Sequence, residues 1–405
     1  MAEPCKAIHG APGAVYEHTN KGNSIAVVTD GTRVLGLGDI GPAAALPVME
    51  GKALLFKYLG GVDAVPICLD APDPDEFVRI VAALAPTFGG INLEDIAQPK
   101  CFRVLDALRA RLTIPVWHDD QQGTATVVLA GLLNALTVVG KPLRSVRIAM
   151  VGMGAANVAV YRLLTAEGVD PGAIIACDSV GILHPGRGDI EALQNEFVDK
   201  WRVCRESNAE RRTGGIIEAL RGADMCLAFS RPGPDTIPPE AVHGMARDAI
   251  VFACANPTPE LWPWVAKAAG AGIVATGRSD LPNQVNNSLC FPGVFRGALD
   301  VRARSITHEM AVAAAQALAG LAVERGLGED SILPPMMDPE VAVREAVAVG
   351  LQAQQQGIAA LALTRSALES GARQIIAGAR ATVDQLMREG LIALPPEAPA
   401  IPEQV

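Results

Sequence analysis

At 405 residues the chain is long enough for two or three domains of about 150 residues each, which excludes a small disulfide-stapled module. Asp and Glu outnumber Lys and Arg by 44 to 34, and the resulting net charge of −10 argues against a general nucleic-acid binder. Half of the residues are hydrophobic and Gly and Pro show no low-complexity bias, so a globular, ordered chain is expected.

Read in chain order, the opening MAEPCKAIHGAPG has no basic run ahead of an apolar core; no secretory signal is seen, and a cytoplasmic location is expected. Short apolar runs then alternate with helical patterns. Strands are predicted at SIAVVTD, DAVPICLD, GINLED and IPVWHDD, with helices at PAAALPVMEGKALLFKYL, PDEFVRIVAALA and PKCFRVLDALRARL between them. The stretch from Thr124 to Gly140 is almost wholly apolar. It is shorter than the ~20 residues a bilayer requires, contains Asn134 and comes directly after Asp119 and Asp120, so it reads as a buried helix and no membrane partner is expected. Five more strands are predicted at VRIAMVG, AIIACDS, ADMCLAFS, AIVFACA and GIVATG. Past residue 300 strand signals give way to alanine-rich helices, and EGLIALPPEAPAIPEQV reads as a frayed Pro-rich tail.

This alternation predicts an α/β fold class: two α/β domains with mostly parallel sheets, the second Rossmann-like and dinucleotide-binding, and then C-terminal helices. The boundaries fall at 1–124, 125–300 and 301–405, the last segment packing back on the core. The eight cysteines are scattered singly, which argues against both a zinc site and a disulfide framework.

In parallel sheets, residues just after strands line the ligand crevice. VRIAMVGMGAANVAVYRLL reads as strand, glycine turn and helix. Gly152 permits the tight turn and Gly154 lets backbone amides approach a pyrophosphate, while Asn157 replaces the third fingerprint glycine. The next strand ends at Asp178, placed to accept hydrogen bonds from an adenosine ribose. Glu94, Asp95, Asp119 and Asp120 come just after strands in the first half. Singly they read as helix caps; together they would repel unless a hard cation such as Mg²⁺ or Mn²⁺ sat among them. His118 reads as a packing residue rather than a ligand. By spacing alone Lys52 reads as a solvated surface lysine, although one drawn toward carboxylates could act as a proton acceptor if its pKa fell. Asn256, Asn286 and Asn287 lie in polar loops after strands, suited to ligand hydroxyls and carboxylates but equally ordinary turn residues.

The stretches AVVTDGTRVLGLGDIGP, PVMEGKALLFK, APTFGGINLEDI, HDDQQGTA, IVFACANPTPE and ATGRSDLPNQVNNSLCFPGVFRGALDVRA, in this order, resemble the malic enzymes of the shorter bacterial type. That family oxidatively decarboxylates L-malate to pyruvate and CO₂ with NAD or NADP and a divalent cation. The resemblance implies Glu94, Asp95 and Asp120 as metal ligands, Lys52 as general base and Asp119 as the residue holding Lys52. It further implies Asn256, Asn286 and Asn287 at the substrate or nicotinamide, Gly36 and Gly38 near the cleft, and the turn Gly152, Met153, Gly154, Ala155 and Ala156 at the pyrophosphate. A homodimer or larger homo-oligomer is implied as well.

Asp178 should repel the 2′-phosphate of NADP and Val180 adds no positive charge, whereas Ser179 is able to hydrogen-bond to it and a Lys or Arg from a more distant loop could still supply the charge; on balance NAD is expected. MAEPCKAI resembles the segment immediately C-terminal to the family's Y-T-P-G-V motif, whose tyrosine delivers a proton to C3. Tyr16, Tyr58 and Tyr161 fall in other segments, so Met1 is expected to be a misplaced start. The alternatives are a non-catalytic NAD-binding relative and an enzyme limited to oxaloacetate decarboxylation.

Overall fold

The structure, a computed structural model, describes residues 1–392; the part of the Pro-rich tail from 393 onward lies outside them. All nine predicted strands form. β1 (Ser24–Thr29), β2 (Asp63–Cys68), β3 (Gly90–Leu93) and β4 (Val116–His118) make one parallel sheet in the order β2-β1-β3-β4. β5 (Ile148–Val151), β6 (Ile174–Cys177), β7 (Met225–Ala228), β8 (Ala249–Ala253) and β9 (Ala271–Thr276) make a second, also parallel, in the order β6-β5-β7-β8-β9. Apart from edge strand β2, whose residues are partly exposed, both faces of these sheets are covered, which is why the strands read as continuous apolar runs. Each sheet reverses its strand order once, between β1 and β3 and between β5 and β7, and the crevice beyond the carboxyl ends opens at those points.

The helix Thr124–Val139 links the two sheets and leaves β4 through a π-helical turn, Asp119–Gly123. Asp119–Val139 is long and apolar enough to cross a membrane, but two thirds of its most apolar 18-residue stretch lies inside the protein. Its interior Asn134 is satisfied: the amide donates to the carbonyls of Ala319, in the helix His308–Arg325, and Ile332, at 3.0 and 2.8 Å.

One face of the first sheet is packed by Phe77, Val104 and Leu108. On the other, Ile25, Val27 and Trp117 meet Met49 and Phe56 of the helix Gly41–Gly60, together with Phe291 and Phe295 of the helix Phe291–Asp300. The Phe56 ring lies 4.5 Å from Phe291 and 5.3 Å from Phe295. Although Phe291–Asp300 precedes the residue-300 boundary, it therefore packs in the core of the first sheet. It crosses the helix Glu340–Gln355 closely: a Cβ on Gly297 would meet the Ala346 carbonyl, and one on Gly293 would lie 2.5 Å from Glu345 Oε2. The helix Arg365–Arg388 returns to the first domain, where Arg380 Nε donates to the Tyr58 carbonyl at 3.1 Å.

Glu345 is fully buried and neither carboxyl oxygen has a hydrogen-bond partner, so burial raises its pKa well above the usual carboxylate range. The folded state then holds a proton that the unfolded chain releases, and stability falls as pH rises above the unfolded value near 4.5. Glu345→Gln removes that proton uptake. Its melting temperature relative to wild type is expected to be higher at pH 8 than at pH 5, by about 1 °C for each kcal/mol at this chain length. A difference independent of pH would contradict this.

Candidate active site

A cleft of about 680 Å³ lies between the carboxyl ends of the two sheets. From the first domain, Gly36, Lys52, Glu94, Asp95 and Asp120 line it; from the second, Gly154, Ala155, Ala156, Asn256, Asn286 and Asn287. Gly38, Gly152, Met153, Asp119, Asp178 and Ser179 do not face it, and neither does any of Tyr16, Tyr58 and Tyr161.

Lys52 overturns the surface reading. On the helix Gly41–Gly60 it is in phase with Met49 and Phe56, on the stripe that faces the core, and it is only 8% exposed. Its ammonium lies 2.6 Å from Asp119 Oδ2 and 2.9 Å from Glu94 Oε1, and 4.4 Å above the Phe291 ring. Burial works to lower its pKa, but the charges of Asp119 and Glu94 outweigh it and hold the pKa above the ordinary lysine value. The expected fall therefore does not occur in the chain by itself. Asp119 keeps its place because Gly123 has no side chain: a Cβ there would lie 1.9 Å from Asp119 Oδ1.

Glu94, Asp95 and Asp120 converge, each offering an oxygen within 4.8 Å of the others. Glu94 and Asp95 are buried and Asp120 is partly exposed. The Asp95 amide donates to Asp120 Oδ2 at 2.8 Å, and Asp95 holds a left-handed backbone at φ 54°, uncommon for a side-chain-bearing residue. Burial raises the pKa of all three, and repulsion by neighbouring carboxylates adds to it at Glu94 and at Asp95, which is pushed up to about 8. Asp95 Oδ2 has no hydrogen-bond partner. Carboxylates that disfavour their own charge, with an unpartnered oxygen and no sulfur or nitrogen ligand among them, fit a hard divalent cation. His118 is fully buried, with its pKa lowered to about 3 chiefly by burial, and its Nδ1 is 3.7 Å from Asp120 Oδ2; it is a neutral packing group beside the cluster.

Across the cleft, Gly152 has φ +86° and a Cβ there would meet the Phe229 carbonyl at 2.6 Å, so the turn requires glycine. Gly154 caps the helix Ala155–Ala166 with open space beside it. Asn157, the departure from the third glycine, is buried and its amide donates to the carbonyls of Val151, Gly152 and Leu227, stapling the turn to β5 and β7. Met153 is part of the core. Gly36 brings the loop after β1 against the loop after β8, since a Cβ on it would lie 2.5 Å from the Asn256 carbonyl. Asn286 is held by its own turn, accepting from the Ser288 amide at 3.0 Å.

Asp178 is not free. Arg187 donates to both of its oxygens at 3.1 and 3.0 Å, and Lys200 lies 2.9 Å away. Burial works to raise its pKa, but these bonds pull it down to about 2. The positive charge that the sequence leaves to a more distant Lys or Arg comes from Arg187 and Lys200, 9 and 22 residues further on, in segments that no local sequence pattern connects to Asp178. Ser179 is exposed beside it.

Two further residues escape sequence reasoning. Arg33 lines the cleft from the loop after β1, and with Lys52 it supplies the positive charge of the lining; its signal is its place inside GTRVLGLGDIG. Glu260, fully buried, accepts from the Ser230 amide at 2.7 Å and the Ala255 amide at 3.0 Å, tying the loops after β7 and β8 together; its signal is CANPTPE.

Residues 6–109 match the family model "Malic enzyme, N-terminal domain" and residues 121–354 match "Malic enzyme, NAD binding domain". The chain is 50% identical over 360 residues to a bifunctional malic/malolactic enzyme of Bacillus subtilis, covering 89% of this chain and 85% of that one. It is 48% identical to an NAD-dependent malic enzyme of Geobacillus stearothermophilus, covering 89% and 73%. The crystal structure of Entamoeba histolytica malic enzyme superposes with a TM-score of 0.94 at 46% identity, covering 98% of this chain and 82% of that one. With more than half of its length matched by one domain model and relatives aligned across most of both chains, this chain belongs to the malic enzyme family.

Proposed function

We propose that the chain catalyses the oxidative decarboxylation of L-malate to pyruvate and CO₂ with reduction of NAD or NADP. The observation that carries this reading is the buried Lys52, paired with Asp119 and Glu94 beside three convergent carboxylates and facing a dinucleotide turn across one cleft. That constellation joins a proton acceptor, a cation site and a hydride-acceptor site, which favours the full reaction over a pure NAD-binding module or a decarboxylase alone.

Glu94, Asp95 and Asp120 would hold Mg²⁺ or Mn²⁺, which supplies Lewis-acid polarisation of the C2 oxygen and of the enolate left by CO₂ loss. Lys52 takes the C2 hydroxyl proton as hydride leaves C2 for the nicotinamide, and that proton is returned to C3 after CO₂ has left, which completes pyruvate. In the chain alone Lys52 keeps its own proton, because Asp119 and Glu94 attract it; it acts as a base once the carboxylate charge is compensated. Arg33 is placed to receive a malate carboxylate, with Asn256, Asn286 and Asn287 orienting the substrate and nicotinamide. The amides at Gly154–Ala156 receive the pyrophosphate at a helix N-terminus. We assign substrate and metal binding to 1–124, coenzyme binding to 125–300 and a supporting role to the helices after 300. The exposed apolar side chains Leu46, Leu54 and Val65, the last on edge strand β2, support assembly into a homodimer or larger oligomer. We assign the enzyme to the cytoplasm.

For the coenzyme, Asp178 and Asp189 are balanced by Arg187 and Lys200, so the site near the ribose carries little net charge and the repulsion expected of Asp178 is muted. Both coenzymes should serve, with kcat/KM values within about tenfold of each other. Lys200→Ala leaves Asp178 and Asp189 with Arg187 alone, a net negative charge, and should lower kcat/KM for NADP about fivefold more than for NAD; equal losses would contradict this balance.

Asp120→Ala should abolish Mn²⁺-dependent malate oxidation while NADH binding, monitored by its fluorescence, stays within about twofold of wild type. Undiminished malate oxidation after exhaustive chelation would overturn the cation assignment.

A further inference from the structure

β3 and β4 lie side by side with Asn92 directly opposite Trp117. Both are fully buried, and each side chain reaches the carboxylate two positions on, Glu94 and Asp119, just past the end of its strand. The Asn92 amide donates to Glu94 Oε2 at 2.9 Å, and the Trp117 indole N–H donates to Asp119 Oδ1 at 3.1 Å. The other oxygen of each carboxylate faces Lys52, Oε1 at 2.9 Å and Oδ2 at 2.6 Å. Each carboxylate is thus gripped from below by a neutral donor and from above by the same ammonium.

A carboxylate held by a single cation keeps its freedom to rotate and to exchange oxygens; a second, directional bond removes it. Asn92 is otherwise an expensive residue for the middle of an apolar strand. Its Oδ1 has no partner, and the bond to Glu94 is the one its side chain makes. A tryptophan at 117 likewise contributes something phenylalanine would not, since its ring fills the core while its N–H reaches Asp119.

We propose that Asn92 and Trp117 are positioning residues, a pair of donors in register that fixes the two carboxylates on either side of Lys52 and divides the labour between them. Asn92 acts on Glu94, and so on both the cation site and Lys52. Trp117 acts on Asp119, and so on Lys52 alone. This rests on the roles given above to Lys52 and to the carboxylate cluster.

The test uses the full chain as wild type, Asn92→Leu, which keeps the branched outline without the donor, and Trp117→Phe, which keeps an aromatic ring in the core without the N–H. Mn²⁺ binding is read by electron paramagnetic resonance without malate or coenzyme, and kcat and KM for malate are measured at saturating Mn²⁺. Asn92→Leu should weaken Mn²⁺ binding about tenfold or more. Trp117→Phe should leave Mn²⁺ binding and the KM for malate within about twofold while lowering kcat about tenfold or more. A merely structural role would move stability without this split. Wild-type Mn²⁺ affinity in Asn92→Leu together with wild-type kcat in Trp117→Phe would overturn the brace; a wild type that binds no Mn²⁺ would instead overturn the cation reading on which it rests. Hydrogen exchange of the indole N–H groups needs no substitution. The Trp117 N–H should outlast that of the exposed Trp264, and equally fast exchange would also overturn the proposal.

Discussion

The structure turns on a lysine taken out of water. A buried ammonium is tolerated only with charge and hydrogen bonds to replace its hydration, and the same is true of the carboxylates that meet it. Lys52, Asp119 and Glu94 meet this requirement jointly, at 2.6 and 2.9 Å, and none could be removed without leaving an uncompensated buried charge. The arrangement constrains three elements at once: the helix Gly41–Gly60 that delivers Lys52, the end of β3 that delivers Glu94, and the π-helical turn after β4 that delivers Asp119. Gly123 is part of the same constraint, because a methyl group there would occupy the place of the Asp119 carboxylate.

The fold brings the remaining chemistry to this point by its topology. Two parallel sheets present their carboxyl ends to one cleft, so loops distant in sequence converge without long excursions. The contact of Gly36 with the Asn256 loop and the ties made by Glu260 keep the coenzyme side in register with the carboxylate side. Beneath the first sheet, Phe291 and Phe295 belong to the same core as Phe56, and Phe291 also forms the floor under the Lys52 ammonium. The helices after residue 290 are therefore part of what holds the lysine.

Much of this is legible in the sequence. Parallel strands buried on both faces write themselves as apolar runs, and the half-exposed edge strand β2 is still apolar enough to be read from residue type. Carboxylates just after strands can be singled out because position after a parallel strand carries meaning. Spacing alone puts Lys52 at the surface, although the apolar stripe through Met49 and Phe56 points it toward the core; a charged residue on such a stripe is discounted when its partners lie 42 and 67 positions away. The neutralisation of Asp178 by Arg187 and Lys200 is hidden for the same reason, since helical and strand periods report faces, not which distant side chains share one. The packing of Phe291–Asp300 under the first sheet is a long-range choice that no local pattern encodes.

Oxidation and decarboxylation of the same molecule in one cleft are tested most directly by product stoichiometry. Purified enzyme is given L-malate and NAD or NADP with Mn²⁺, and reduced coenzyme, CO₂ and pyruvate are measured together. One of each is expected per malate consumed. Reduced coenzyme accumulating with oxaloacetate and no CO₂, or CO₂ and pyruvate arising from oxaloacetate with no coenzyme reduction from malate, would contradict it.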